Sequence, residues 1–350
     1  MPERFVPAEF KNTIDTVLTE VLAEEAEQLC AIDGALQPVA EQLQAVAGHG
    51  KRLRAAFCYW GWRAAGQPDS GPLTRAAASM ELVHAAAVVH DDLIDDSPLR
   101  HGLPTAHVAL RAAVTGRPGA RAAARSLAML VGDHLMALAG QLFATSGLPA
   151  AYLARARPMW AELARELIAG ECLEILHTGA HPDPDVSLKV VRYKTAKYTV
   201  EQPLLIGGLL AGATARLRAG LSAYGLPLGE AFQLRDDLLG LFGETGRTGK
   251  ASLDDIRGQR PTALLATAWQ AASPAQREHL AGVLGRRDLT EEHLRDVREL
   301  MVTLKAPERV EAMIASRVRD AVSCLDALDM PHPARGALTD LAHVATDRHH

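Results

Sequence analysis

Four aspartates, Asp91, Asp92, Asp95 and Asp96, fall within the stretch VVHDDLIDDSPLR from Val88 to Arg100. On a helix Asp91 and Asp95 stand at i and i+4, so their carboxylates share one face. Like charges at that spacing cost a bare helix about 0.2–0.5 kcal/mol per pair. Their position after the mostly apolar run Leu82 to Val89 calls for something cationic between them. A second acidic pair, Asp236 and Asp237, lies far downstream in FQLRDDLLG, with Gln233 one turn before Asp236 on nearly the same face. Two antiparallel helices would aim Asp91, Asp95 and Asp236 across a shared cavity, a known way to build metal sites in helical bundles. Oxygen ligands without His or Cys select a hard cation. Magnesium fits best, because it takes one or two carboxylates and completes its shell with waters and substrate phosphates.

Phosphates in turn need cationic partners, and these stand at structural breakpoints. Lys51 and Arg54 follow Gly50 near a helix start, where backbone N–H groups also favour anions. Arg100 follows the first acidic motif, Lys194-Thr195 sits within a helix between apolar neighbours, and Lys250 and Arg260 lie in a later polar stretch. Arginine forks and lysine point charges are the two standard phosphate grips. Each alone is by default a solvated surface charge; together they form a set. His84 lies seven residues before Asp91, two turns along the same face, which turns an ordinary core histidine into a candidate substrate contact. Ala87 and Val88, one turn below Asp91, are small enough for a long apolar group to pass.

The elements that must position these residues read as helices throughout, because alternating β-branched runs are nearly absent. Phe10, Ile14, Val17, Leu18, Val21 and Leu22 form one stripe; a second helix near Leu36 to Val46 ends at Gly48-His49-Gly50, and a third carries Trp60 and Trp62. The helix of the first aspartates runs from about Arg75 and breaks near Ser97-Pro98. Ala122 to Thr145 reads as long and apolar, interrupted at Gly132-Asp133-His134. Tyr152 to Thr178, Ser187 to Ala215 and Leu226 to Leu241 follow. Gly243 to Thr262 reads as a mobile loop. Pro274 and Pro307 suit helix starts, with Ser273 as an N-cap. No composition shift marks a boundary, so residues 1–350 are expected to form one all-α domain, with its motif-bearing core at about 50–262 and C-terminal helices at about 274–350.

The composition is that of an ordinary globular chain: 350 residues, 48% hydrophobic and 23% charged. A net charge of −5 gives no electrostatic support to nucleic-acid binding. Cys30, Cys58, Cys172 and Cys324 lack CxxC spacing, which argues for a reducing compartment and against a zinc site. There is no apolar signal region at the N-terminus, and Gln202 to Ala215, the longest uncharged apolar stretch, is too short to span a bilayer. A cytoplasmic protein without a membrane span is expected.

Taken in order, the two acidic motifs and the basic set resemble the trans-isoprenyl diphosphate synthase (polyprenyl synthetase) family. GKRLR is similar to its GKRxR element, HDDLIDDSPLRHGLPTAH to its first aspartate-rich motif, RYKTAKYT to its KT element, and FQLRDDLLGLFGETGRTGK to its second aspartate-rich motif with the following lysine loop. The resemblance runs from about Gly50 to about Thr262. It implies a helical bundle of the isoprenoid synthase type with a central substrate cavity, and condensation of an allylic diphosphate with isopentenyl diphosphate by ionisation, condensation and elimination. By match, Asp91 and Asp95 would hold two Mg²⁺ ions and Asp236 a third. Arg100, Lys194, Gln233 and Lys250 would grip the allylic diphosphate; Lys51, Arg54 and His84 would hold isopentenyl diphosphate. Thr195 would lie near the departing proton, and closure of the Gly243–Thr262 loop would exclude water. Family members are usually homodimers, and the apolar Ala122–Thr145 helix could serve an interface or the core.

Three departures stand out. His101 replaces a frequent second arginine, Arg260 replaces a lysine late in the loop, and the second motif is DDLLG in place of DDxxD. The first motif has no two-residue insertion, and Ala86 and Ala87 stand where short-chain enzymes often carry aromatic plugs. A pocket deeper than a C15 product needs is expected, with Met80, Val83, Met129 and Met136 as candidate floor residues. Geranylgeranyl diphosphate (C20) is the favoured product, with farnesyl (C15) and geranylfarnesyl (C25) diphosphate as alternatives. A terpene cyclase would not need Lys51, Arg54 and His84, and a non-catalytic helical partner subunit would not need both acidic motifs. A di-iron bundle is disfavoured because no Glu-x-x-His pair sits with the acidic motifs.

Overall fold

The computed structural model describes residues 6–243, 254–286 and 288–346. Lys250 therefore lies outside the described residues, as does much of the expected Gly243–Thr262 loop. The helices are α1 (Pro7–Ile32), α2 (Gln37–Ala47), α3 (Leu53–Ala64), α4 (Gly71–Ile94), α5 (Ala106–Ala109), α6 (Ala120–Ala144), α7 (Ala150–His177) and α8 (Pro184–Val190). After a π-helical segment, Val191–Glu201, come α9 (Gln202–Ala211), α10 (Ala215–Phe242), α11 (Asp254–Arg257), α12 (Ala263–Ala271), α13 (Pro274–Val283), α14 (Glu291–Thr303), α15 (Ala306–Asp326) and α16 (His332–Thr346). The fold is all-α. Its described strands are a two-residue hairpin, β1 (Leu99–Arg100) and β2 (Leu103–Pro104), turned by His101 and Gly102, both at positive φ.

Local signals explain most boundaries. The Ser70 side chain accepts from Leu73 N–H and Pro72 follows, so α4 begins at Gly71, earlier than the expected Arg75. Ser273 and Gln276 form a reciprocal capping box at α13. Asp96, at φ 52, ends the run of α4 in the left-handed conformation that stops helices.

Two expectations fail. Gly132 does not interrupt α6, which runs through it: a Cβ there would lie 2.4 Å from His90 Nε2, so the glycine serves close packing of α6 on α4. Ser187 to Ala215 is not one regular helix. It is α8, the π segment and α9, and the Gln202 N–H reaches the Lys197 carbonyl five residues back.

One large core joins α1, α3, α4, α6, α7, α9, α10 and α16; a second, in the C-terminal third, is built on α10, α12, α14 and α15. α10 belongs to both, through Leu228 and Phe232 in the first and Leu234 and Leu238 in the second. The π segment lies between α7 and α10. A Cβ on Gly170 of α7 would come within 2.2 Å of Lys194 N, and one on Gly229 of α10 within 2.4 Å of Ala196 O, so backbone touches backbone on both sides. Among the described residues α6 alone is long and apolar enough to cross a membrane, with a window of mean hydropathy 1.4. That departs from the expectation of no candidate span; 44% of the window is buried, and the helix packs against α4.

Candidate active site

The polar face of α4 organises the site. His84, Ala87, Val88, Asp91 and Asp95 are each partly exposed and recur at spacings of three and four, while Val83, Ala86, Val89 and Asp92 between them are buried. A core helix that opens along one stripe presents those residues together on one accessible face. Small side chains hold the middle of that stripe and acids its C-terminal end.

Cations from three other elements meet these acids. Lys194 Nζ, from the π segment, lies 3.0 Å from Asp91 Oδ1 and 3.0 Å from Glu171 Oε2, and also bonds Glu174. Arg100 of β1 donates from Nη2 to Asp91 Oδ2 at 2.7 Å and from Nε to both oxygens of Asp92, at 2.9 and 3.1 Å. Arg260, buried before α12, pairs with Asp95. Burial opposes the Lys194 charge, but Asp91, Glu174 and Glu171 outweigh it and hold the ammonium pKa well above the ordinary value. Burial raises the Glu171 pKa, with Lys194 opposing. Asp96, also in the first motif, points elsewhere: it bonds Arg121 and Arg125 of α6, each at 2.7 Å, and so ties the motif's end to the scaffold.

Deeper along the stripe, Arg54 is buried at the start of α3. Its Nη2 donates to Tyr198 Oη at 2.8 Å and to Thr199 Oγ1 at 2.9 Å, and the guanidinium stands 4.5 Å over the Tyr198 ring. The start of α3 is pinned by buried Glu81, whose Oε1 accepts from Ala55 N–H at 2.8 Å. Tyr198 Oη is 3.3 Å from His84 Nδ1. Burial, then Arg54 and Arg100, push the His84 pKa well below the usual imidazole range, so the ring is neutral at pH 7. Lys51 is exposed. Its neighbour Arg52 is buried with Asp15 and the carbonyls of Ala47 and His49, and so joins α1 to α2.

In the second motif Asp236 is partly exposed and Asp237 buried. Gln233 donates to Asp237 Oδ1 at 2.8 Å, and Asp237 Oδ2 accepts from Ala263 N–H at 3.1 Å, fixing the start of α12.

The structure therefore brings Asp91, Lys194 and Arg100 together, joins Arg54 to His84 through Tyr198, and places Asp95 with Arg260. Thr195 is buried beside Lys194. His101 is exposed at the hairpin turn. Of the expected pocket residues, Ala87 lies on the open stripe, whereas Met80, Val83 and Ala86 are enclosed in the core, and Met129 is 48% exposed on the outer side of α6.

Glu171, Glu174 and Tyr198 were missed. Among the described residues the carboxylates whose oxygens gather within 4.8 Å are those of Asp91, Glu171 and Glu174, not Asp91, Asp95 and Asp236. The i,i+3 spacing of Glu171 and Glu174 was the available signal. Glu174 also opens a Glu-x-x-His with His177, but the gathered triple contains no histidine. An all-oxygen, part-buried donor set of this kind suits a hard divalent cation.

Comparison with known proteins accords with this geometry. The family model for polyprenyl synthetase matches residues 37–301. The octaprenyl diphosphate synthase of Escherichia coli is 30% identical over 307 residues, covering 87% of each chain. The (2E,6E)-farnesyl diphosphate synthase of Mycobacterium tuberculosis is 31% identical, covering 85% of this chain and 80% of that one. The geranylgeranyl pyrophosphate synthase of Corynebacterium glutamicum, solved with isoprenyl diphosphate and magnesium, superposes with a TM-score of 0.93 at 33% identity, covering 98% of this chain and all of that one. With acids and cations gathered at the end of one helical stripe and a match over most of its length, the chain belongs to the polyprenyl synthetase family of trans-prenyltransferases.

Proposed function

We propose that this enzyme condenses an allylic diphosphate with isopentenyl diphosphate and that its main product is geranylgeranyl diphosphate (C20), with farnesyl (C15) or geranylfarnesyl (C25) diphosphate as the alternatives. The observation that carries the proposal is the α4 stripe, which sets acids and their cations at one end and Ala87 and Val88 in the middle. Magnesium bound to the carboxylates would supply charge neutralisation for the departing diphosphate. Asp91, Asp95 and Asp236 are the proposed holders of three such ions, with Glu171 and Glu174 close to Asp91.

The protein's own groups do the rest. Lys194 and Arg100 are held by carboxylates; a bound diphosphate would draw both cations to its oxygens, and the carboxylates so released would be free to hold magnesium. Lys250 and Gln233 are further proposed contacts of the allylic diphosphate, and Arg260 supplies charge beside Asp95. The bond from the allylic carbon to the diphosphate oxygen breaks with both electrons leaving on oxygen, where Lys194 and Arg100 stabilise the charge. Arg54, Lys51 and neutral His84 hold the isopentenyl diphosphate, with His101 at the edge. Its double bond attacks the allylic cation, and a proton then passes to the released diphosphate beside Thr195. Ala87 and Val88, in the middle of the stripe, keep water from the cation, which water would quench to an alcohol.

The same proposal includes a single-domain homodimer, supported by the exposed Met129 and Leu130 on α6, and a cytoplasmic setting, supported by four free cysteines.

Mass analysis of products from isopentenyl diphosphate with each allylic starter, with and without Mg²⁺, tests the proposal. C20 product dependent on both is expected. Cyclic or alcohol products formed without isopentenyl diphosphate would identify a cyclase. Ala87→Phe should shift the product to shorter chains; an unchanged distribution would place the floor elsewhere.

A further inference from the structure

Glu230 is a buried carboxylate, 5% exposed, on α10, three residues before Gln233 and six before Asp236. Its oxygens are held from two directions. Arg192 donates to Oε1 from Nε at 2.9 Å and from Nη2 at 2.7 Å, and Arg317 Nε donates to Oε2 at 2.8 Å. Arg192 belongs to the π segment, two residues before Lys194; Arg317 belongs to α15. The neighbouring Gly229 brings α10 onto the backbone of Ala196. Such a contact fixes the distance between the two elements. Gly229 itself has no side chain to interlock against sliding or rotation, the usual way in which packed helices hold register. The π winding adds to the need, because its longer hydrogen-bond ring departs from the regular helical repeat. A charged fork with two donors on one oxygen supplies a directional restraint at that junction.

We propose that Glu230 and Arg192 are a positioning pair that sets Lys194 against Gln233 and Asp236, and with them the spacing of the cation and acid that share one diphosphate. The inference rests on the prenyl-transfer proposal above. Arg317, on the other oxygen, anchors Glu230 to the C-terminal core and serves stability instead of alignment. Two arginines on one carboxylate thus have separable effects.

The test uses the full chain as wild type, Arg192→Gln, Arg192→Lys, Glu230→Gln and Arg317→Gln. Calorimetric titration measures binding of inorganic pyrophosphate with Mg²⁺, steady-state kinetics give kcat and both KM values, and thermal unfolding reports stability. Arg192→Gln and Glu230→Gln should each weaken pyrophosphate binding and lower kcat by about 10–100-fold, with the isopentenyl diphosphate KM within about twofold of wild type. Arg192→Lys should recover part of the loss. Arg317→Gln should lower the melting temperature and leave pyrophosphate binding within about twofold. Arg192→Gln keeps Glu230 paired to Arg317, so it tests alignment even where Glu230→Gln does not fold. A folded Arg192→Gln that binds and turns over like wild type overturns the inference. So do Arg192→Gln and Arg317→Gln with the same profile, or unfolding of both Arg192 variants, each of which marks the pair as merely structural. A wild type that binds pyrophosphate but extends no prenyl chain overturns the proposed function, while the titration still reads the positioning pair.

Discussion

The two acidic motifs divide their labour alike and differ in what answers them. In Asp91–Asp92 and Asp236–Asp237 the first aspartate is partly exposed and the second is buried, whereas in Asp95–Asp96 the second is the exposed one and bonds α6. Successive helical residues point about 100° apart, so an adjacent pair cannot face one cleft together. One member is left for the site and the other for the scaffold. Asp92 takes Arg100, while Asp237 takes Gln233 and the Ala263 N–H. The surroundings differ. The first motif is met by Lys194, Arg100 and Arg260, cations brought from three separate elements. Among the described contacts of the second motif, its buried acid accepts from the Gln233 amide and the Ala263 N–H. The first motif gathers cations from across the fold, and Asp237 of the second also fixes the backbone at the start of α12.

The sharpest way to break this comparison is to neutralise the exposed members. Asp91→Asn and Asp236→Asn should each lower prenyl transfer by about 10²–10³-fold, about 3–4 kcal/mol on the barrier, with cooperative unfolding retained. Steady-state extension assays check it, and wild-type rates from both variants would remove the metal assignment. Gly229→Ala comes next. Its new methyl meets the Ala196 carbonyl, and the stability cost in urea denaturation should be about 2–3 kcal/mol, because neither backbone can yield cheaply. Asp237→Ala should cost about 1–2 kcal/mol of stability, from the lost cap on α12 and the stranded Gln233 amide, and change activity less than Asp236→Asn does.

The smallest effect is a pH slope at His84. Folded His84 resists protonation until well below the ordinary value of 6.5. Between that depressed pKa and 6.5 the unfolded chain binds a proton that the folded chain does not. Stability is therefore full above pH 6.5 and falls as the pH drops through that window. Denaturation midpoints of wild type and His84→Asn across this range should diverge with that sign.

How much was legible varied by element. The α4 stripe was readable from spacing alone, since His84, Ala87, Asp91 and Asp95 keep one face on any regular helix. The α13 cap was readable because Ser273 and Gln276 act within one turn. The π segment was not. It is packed backbone to backbone against Gly170 and Gly229, contacts that no local propensity records. Glu171 and Glu174 were passed over because their meaning lies in a lysine 20 residues or more away in sequence. Ala86 and Ala87 are the same residue type side by side, and only packing distinguishes the enclosed one from the open one.

By itself the sequence determined an all-helical chain, the ordered acidic and basic motifs, and hence the family. These follow from periodicity, residue chemistry and spacing, all of which act over a few turns. Only the tertiary structure decided which acid meets which cation, which aspartate of each pair stays accessible, and how the Lys194 segment is wound. Those outcomes depend on contacts between residues far apart in the chain, where a close backbone approach or a buried ion pair outweighs local preference.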